Sequence, residues 1–144
     1  MRPFSFIKPI LNYDGYYISD NGKVYCRLGK GNRDKNKLLP FEKIYEIKPH
    51  LTKNGYARVY MRNTLTNKRE DKYIHRLVAE NFINNPENKK YVNHKNYIRN
   101  DNDISNLKWS TSKENWKYSF DNNHLMRDEF GRFISNFNYP NQIV

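Results

Sequence analysis

Three polar side chains in this sequence stand where chemistry could be done. Asn93 and His94 close a short run, Tyr91-Val92-Asn93-His94, and Asn115 lies early in a segment that starts at Thr111. A neutral imidazole can take a proton from water near neutral pH. Carboxamide oxygens are hard, uncharged donors. They suit Mg²⁺, which takes few protein ligands and fills its other positions with water and phosphate. Hydrolysis of a phosphodiester needs both functions: an activated water, and a cation to stabilise charge on the phosphate and the leaving oxygen. Two uncharged ligands hold such an ion weakly, so the substrate phosphate would supply much of its affinity. Taken alone the three residues do not identify an enzyme, because Asn is abundant in this chain and a lone His at a strand end is commonly structural.

The elements around them must bring them together. Tyr91–His94 reads as a short strand, residues 95–105 as a polar loop, and Leu107–Trp109 as a second short strand. Thr111 and Glu114 form a capping box that starts a helix over about residues 112–119. If that helix packs across the strand pair, Asn93, His94 and Asn115 converge. Upstream, residues 75–83 read as a helix with Leu77, Val78 and Phe82 at helical spacing, stopped by Asn84-Asn85-Pro86. Residues 56–62 alternate strictly: Ala57, Val59 and Met61 point one way, and Tyr56, Arg58, Tyr60 and Arg62 the other. Residues 72–74 are the expected partner strand. Residues 16–19 and 23–27 read as a hairpin around Asp20-Asn21-Gly22. Residues 28–37 read as a loop. Residues 38–48 fit a strand pair or a short helix equally. In the tail, residues 130–134 suggest a small hairpin or a docked extension.

The chain of 144 residues carries 26 Lys and Arg against 15 Asp and Glu, a formal charge of +11. The tail from Asp121 sets Arg127 and Arg132 against Asp121, Asp128 and Glu129, so the excess lies before it. Such a charge points to a polyanionic partner, of which nucleic acid is the usual one; a solvated surface kept soluble by repulsion is the alternative. The face of Tyr56, Arg58, Tyr60 and Arg62 is the leading candidate to meet DNA, since Arg binds phosphates or guanine edges and Tyr can stack or donate; a solvated sheet face is the competing reading. No apolar run approaches the roughly 20 residues of a membrane span, and the first residues lack the apolar stretch of a secretory signal. Cys26 is the only cysteine. It suits a reducing cytosol and excludes a Cys-rich structural zinc site.

From His75 the chain reads HRLVAENFINNPENK, continues to Val92-Asn93-His94 and Asn102, and then to Asn106-Leu107-Lys108-Trp109 and Glu114-Asn115. These stretches resemble the HNH endonucleases of phages and phage introns, whose nuclease domain has a ββα-metal fold. The run YDGYYISDNGKV at residues 13–24 resembles the small β module often found before that domain. The resemblance implies an α+β chain: an N-terminal antiparallel β-rich DNA-binding module over residues 1–70, an HNH nuclease domain over 71–120, and an extension over 121–144. It implies a homing-type, metal-dependent DNA endonuclease with His94 as general base. Asn93 and Asn115 then hold one divalent ion, Mg²⁺ or alternatively Mn²⁺. Asn106 pins the loop by backbone hydrogen bonds, and Trp109 is core. His75, Arg76, Lys95 and Arg99 join the DNA contacts, and His75 is a packing, capping or phosphate-contacting residue rather than a metal ligand. The expected setting is the cytoplasm of a phage-infected bacterium, with the protein a monomer or weak dimer. Relatives often carry Ile-Asp-Gly after the base, where this chain has Lys95-Asn96-Tyr97. That departure favours the alternative of a non-catalytic DNA-binding protein with the same fold. A basic RNA-binding protein is a third reading, weakened by the lack of a sheet-borne aromatic RNA signature.

Overall fold

A computed structural model of the chain describes residues 6–30, 35–121, 125–127 and 133–135. The N-terminal part forms one antiparallel sheet in the order β1 (Ile7–Pro9), β2 (Tyr16–Ser19), β3 (Val24–Cys26), β4 (Tyr45–Ile47). The expected hairpin is β2–β3. The Ser19 hydroxyl closes its turn, accepting from Lys23 N at 2.9 Å, while Gly22 takes φ +84°. β1 was not expected from sequence. It is an exposed edge strand, which is where Pro9 can sit without breaking a ladder. Residues 38–48 contain a single 3₁₀ turn, Phe41–Lys43, followed by β4.

The second sheet runs β5 (His50–Leu51), β6 (Ala57–Arg62), β7 (Arg69–Tyr73). Alternation in β6 holds: Ala57, Val59 and Met61 are buried, and their neighbours are not. β7 begins earlier than the sequence suggested because Arg69 to Tyr73 pair residue for residue with Arg62 to Arg58. Ile74, read from sequence as strand, is instead the first residue of α1 (Ile74–Phe82). That turn sends Ile74 into the core beside Leu77 and Val78 rather than along the sheet face.

α1 packs against β2, β6 and β7 and against the strand pair β8 (Tyr91–His94) and β9 (Leu107–Ser110). One apolar cluster therefore joins Ile18 and Val24, Val59 and Met61, Ile74, Leu77 and Val78, and Leu107. Burial of these side chains is the main stabilising term, about 1.5 to 3 kcal/mol for each large one. The Trp109 indole donates to Ile83 O at 3.0 Å, fastening β9 to the C-terminal end of α1. Beyond β9, α2 (Ser112–Asp121) starts at the expected capping box, with Glu114 N donating to Thr111 Oγ1 at 3.1 Å and Thr111 N to Glu114 Oε2 at 2.8 Å. It lies against β8. The hairpin expected at residues 130–134 falls partly outside the described residues. Phe133 and Ile134 belong to β11 (Phe133–Ser135), which pairs antiparallel with β10 (Leu125–Arg127).

Candidate active site

The strand pair sets the geometry. In β8–β9, Asn93 pairs with Lys108 and His94 with Leu107. Leu107 is drawn into the core under α1, and it carries the end of β8 inward with it. His94 is 6% exposed and Asn93 7%. On its Nε2 side, His94 lies 2.9 Å from Asn102 Oδ1, itself buried. An amide oxygen can only accept, so Nε2–H donates and Nδ1 is the ring atom that can take a proton.

The loop between the strands is held by Asn106. Its Oδ1 accepts from Asn96 N at 3.0 Å and its Nδ2 donates to Asp101 O at 2.8 Å. Its own carbonyl accepts from Lys95 N at 2.7 Å. Tyr97 has φ +65°, in the left-handed region where a glycine would be unstrained. The loop thus keeps a turn that suits glycine although the residue is bulky, and its amide still donates to His94 O at 3.1 Å.

The aromatic surroundings of His94 were not legible in sequence. Its ring centroid is 5.1 Å from that of His75 and 6.0 Å from Tyr56; Tyr73 sits 5.3 Å from His75. His75 is buried, with Nδ1 lacking a hydrogen-bond partner. Burial, then the neighbouring His94 and Arg76, lower its pKa to about 3, so it is neutral at physiological pH. Burial also lowers the pKa of His94, against the opposing pull of the Asn102 bond and Asp101. A neutral imidazole is the form a general base requires.

Asn115 stands half-buried in the first turn of α2, the helix that lies against β8. The Asn93 amide presents a buried Nδ2 with no hydrogen-bond partner. A buried amide atom without a protein partner is costly unless something outside the chain meets that group. No cluster of three or more His, Cys, Asp or Glu suited to a metal occurs among the described residues. Asn93 and Asn115 offer carboxamide oxygens, hard uncharged donors of the kind that suit Mg²⁺ or Mn²⁺.

The other DNA-binding candidates divide into two groups. Tyr56 turns toward the histidines, and Arg99 reaches over it at 5.0 Å while donating to Asn54 O at 2.8 Å. His75 lies behind His94 rather than at the surface. Arg58 binds Asp71 at 2.8 Å and covers Tyr73, and Arg62 donates to Asn67. Tyr60 stacks on His50 at 4.8 Å and is covered by Arg69. Arg76 donates to Lys90 O and pairs with Glu80, and Lys95 is exposed beside the loop. Asn102 is the residue whose contact with His94 sequence reasoning missed. Its only signal was its place in the recurring motif, eight residues after His94.

Comparison with known proteins bears on the same segment. Residues 72–117 match the HNH endonuclease family. Two curated relatives from Acanthamoeba polyphaga mimivirus are each described as an uncharacterized HNH endonuclease. The chain is 36% identical to L245 over 107 residues, 74% of this chain and 28% of that protein. It is 36% identical to L247 over 117 residues, 80% of this chain and 25% of that protein. The chain therefore spans about a quarter of the length of these relatives. The solved structure titled for DNA binding and cleavage by the HNH homing endonuclease I-HmuI superposes with a TM-score of 0.63 at 27% identity, covering 82% of this chain and 59% of that one.

Proposed function

Because this chain belongs to the HNH endonuclease family through residues 72–117 and shares the fold of an HNH homing endonuclease, we propose that it is a metal-dependent DNA endonuclease hydrolysing phosphodiester bonds. The observation that carries this reading is the buried pairing of His94 with Asn102, one residue after the buried Asn93. His94 Nδ1 takes the proton of the attacking water, while the bond to Asn102 holds the ring and its tautomer. Asn93 and Asn115 are the residues that would hold one Mg²⁺ or Mn²⁺. Such an ion, when bound, supplies neutralisation of charge on the scissile phosphate and leaving oxygen. Asn106 keeps the intervening loop in register by its two side-chain bonds to backbone.

Double-stranded DNA is the proposed substrate, drawn by the net charge of +11. Its phosphates would meet Arg76, Lys95 and Arg99 around the site. The face of Tyr60 and Arg62, with Arg58 behind its Asp71 partner, extends the contact over the β-rich part of residues 1–70. His75 and Tyr56 act from behind, as the apolar wall of the imidazole. With one such site per chain, a monomer would nick one strand. No helix among the described residues is long and apolar enough to cross a membrane.

The test is incubation of supercoiled plasmid with the protein and Mg²⁺ or Mn²⁺. Wild type should convert it to nicked or linear forms, and His94→Ala should not. Binding without cutting by wild type under both ions would reject the enzymatic reading in favour of a DNA-binding protein that has kept the fold.

A further inference from the structure

The β2–β3 hairpin reaches the catalytic loop across the molecule. A Cβ built on Gly22 would lie 2.8 Å from Asn102 Cβ and 2.9 Å from Asn102 O, and Gly22 holds φ +84°. Both facts require glycine: a side chain would be strained in its own backbone and would push on Asn102. A second contact lies beside it. The carbonyl of Asp20 accepts from Ile104 N at 2.8 Å, at the start of the 3₁₀ turn Ile104–Asn106 that ends in the loop-pinning Asn106. Asp20 and Asn102 are both buried. The hairpin turn therefore touches the loop on either side of Asp103, and Asn102 is the residue that faces His94 Nε2 at 2.9 Å.

We propose that the turn between β2 and β3 is a positioning element for the base: Gly22 sets Asn102, and Asn102 sets His94. This rests on the reading of His94 as general base and assigns the N-terminal β part a role in catalysis beyond holding DNA. The chemistry is simple. A hydrogen bond to a ring nitrogen fixes which nitrogen carries the proton and where the other points. Catalytic groups lose effect when displaced by about half an ångström. Relieving the 2.8 Å contact to an ordinary one takes about 0.6 Å, and a displacement of Asn102 on that scale from the far side changes ring angle and tautomer preference without touching DNA-binding residues.

The full chain serves for the test. Gly22→Ala should lower the single-turnover cleavage rate by about tenfold or more while changing DNA Kd by less than about twofold, the signature of a displaced base rather than lost binding. Gly15→Ala is the matched control. Gly15 has the same φ of +84°, but the atoms nearest its Cβ would be in the side chains of Leu28 and Leu38. It should lower stability and leave the rate of the folded protein unchanged. Asn102→Ala should reproduce the rate loss, and adding Gly22→Ala to it should cause no further loss. Asn102→Asp keeps an acceptor oxygen and should recover most of the rate.

Nitrogen NMR of labelled histidine gives a readout that needs no cleavage. His94 should carry its proton on Nε2 in wild type and show mixed tautomers in both Asn102→Ala and Gly22→Ala. Unchanged tautomers in these variants, or equal rates for Gly22→Ala and Gly15→Ala, would overturn the proposal. If wild type cuts no DNA, the functional reading fails, and the tautomer comparison still decides whether the turn positions His94. Should Gly22→Ala not fold, Ser19→Ala, which removes the hydroxyl that closes the same turn, takes its place, and unchanged His94 tautomers in that variant would overturn the proposal.

Discussion

Acidification from pH 7.5 to pH 5 should weaken the fold through the buried imidazole of His75. In the unfolded chain this group has a pKa near 6.5, and in the fold it is lowered to about 3 by burial and by His94 and Arg76. Below pH 6.5 the unfolded state therefore binds a proton that the native state refuses. Stability is fully present above 6.5 and is lost as pH falls toward 3, at about 1.4 kcal/mol per pH unit. From pH 6.5 to 5 the loss from His75 is roughly 2 kcal/mol. His94, lowered in the same direction, adds to it. Glu70 and Glu114 are held below 4.5 by Tyr13 and by the Thr111 backbone respectively, so their contributions persist until lower pH and do not confuse this window. Urea unfolding at pH 7.5, 6.5, 5.5 and 5, followed by tryptophan fluorescence, measures the slope. His75→Phe keeps a ring against His94, Tyr56 and Tyr73 but cannot titrate. Its loss between pH 6.5 and 5 should be smaller than that of wild type by roughly 2 kcal/mol. Equal slopes for the two proteins would refute the claim that His75 is buried and neutral.

Three further outcomes follow from the same geometry. Asn106→Ala strips the partners from Asn96 N and Asp101 O in a part-buried loop; urea unfolding should show a loss of about 2 kcal/mol, together with a drop in cleavage rate larger than any change in DNA affinity. Ile18→Ala opens a cavity at a fully buried position shared by the first sheet and α1 and should cost about 2 to 5 kcal/mol in the same assay. Binding to duplex DNA, titrated across salt concentrations, should weaken with a log–log slope of about −5 if some six phosphates are neutralised. A slope near zero would remove the electrostatic argument for a nucleic-acid partner.

Much of the fold could be read from local pattern, and what could not depended on distant parts of the chain. Alternation at Ala57, Val59 and Met61, helical spacing at Leu77, Val78 and Phe82, and the box at Thr111 and Glu114 are local signals, and each marks the element found. β1 carries no such pattern. Ile7 to Pro9 is held by pairing with β2 and by Lys8, whose ammonium donates to Asn81 O at 2.9 Å and lies over the Phe82 ring, contacts that only the folded chain supplies. Ile74 reads as strand because it follows Lys72 and Tyr73, yet the core under α1 turns it into helix. At the site, residue types and a recurring motif pointed to Asn93, His94, Asn106 and Asn115. Asn102 did not stand out, because an Asn in a polar loop looks like any other until the loop folds back on His94. His75 likewise reads as a polar helix start; only tertiary packing shows it enclosed by Tyr56, Tyr73 and His94. Arg58 reads as available for DNA, whereas the β6–β7 register brings it beside Asp71.

The central claim is that amides 93 and 115 share one divalent ion beside imidazole 94. Anomalous scattering from a crystal of the protein with a DNA duplex and Mn²⁺ tests it most directly. One manganese peak should lie between the Asn93 and Asn115 carboxamide oxygens, with a DNA phosphate oxygen and water in its other positions and His94 alongside. Manganese held by other residues, or a DNA phosphate seated far from His94, would contradict it.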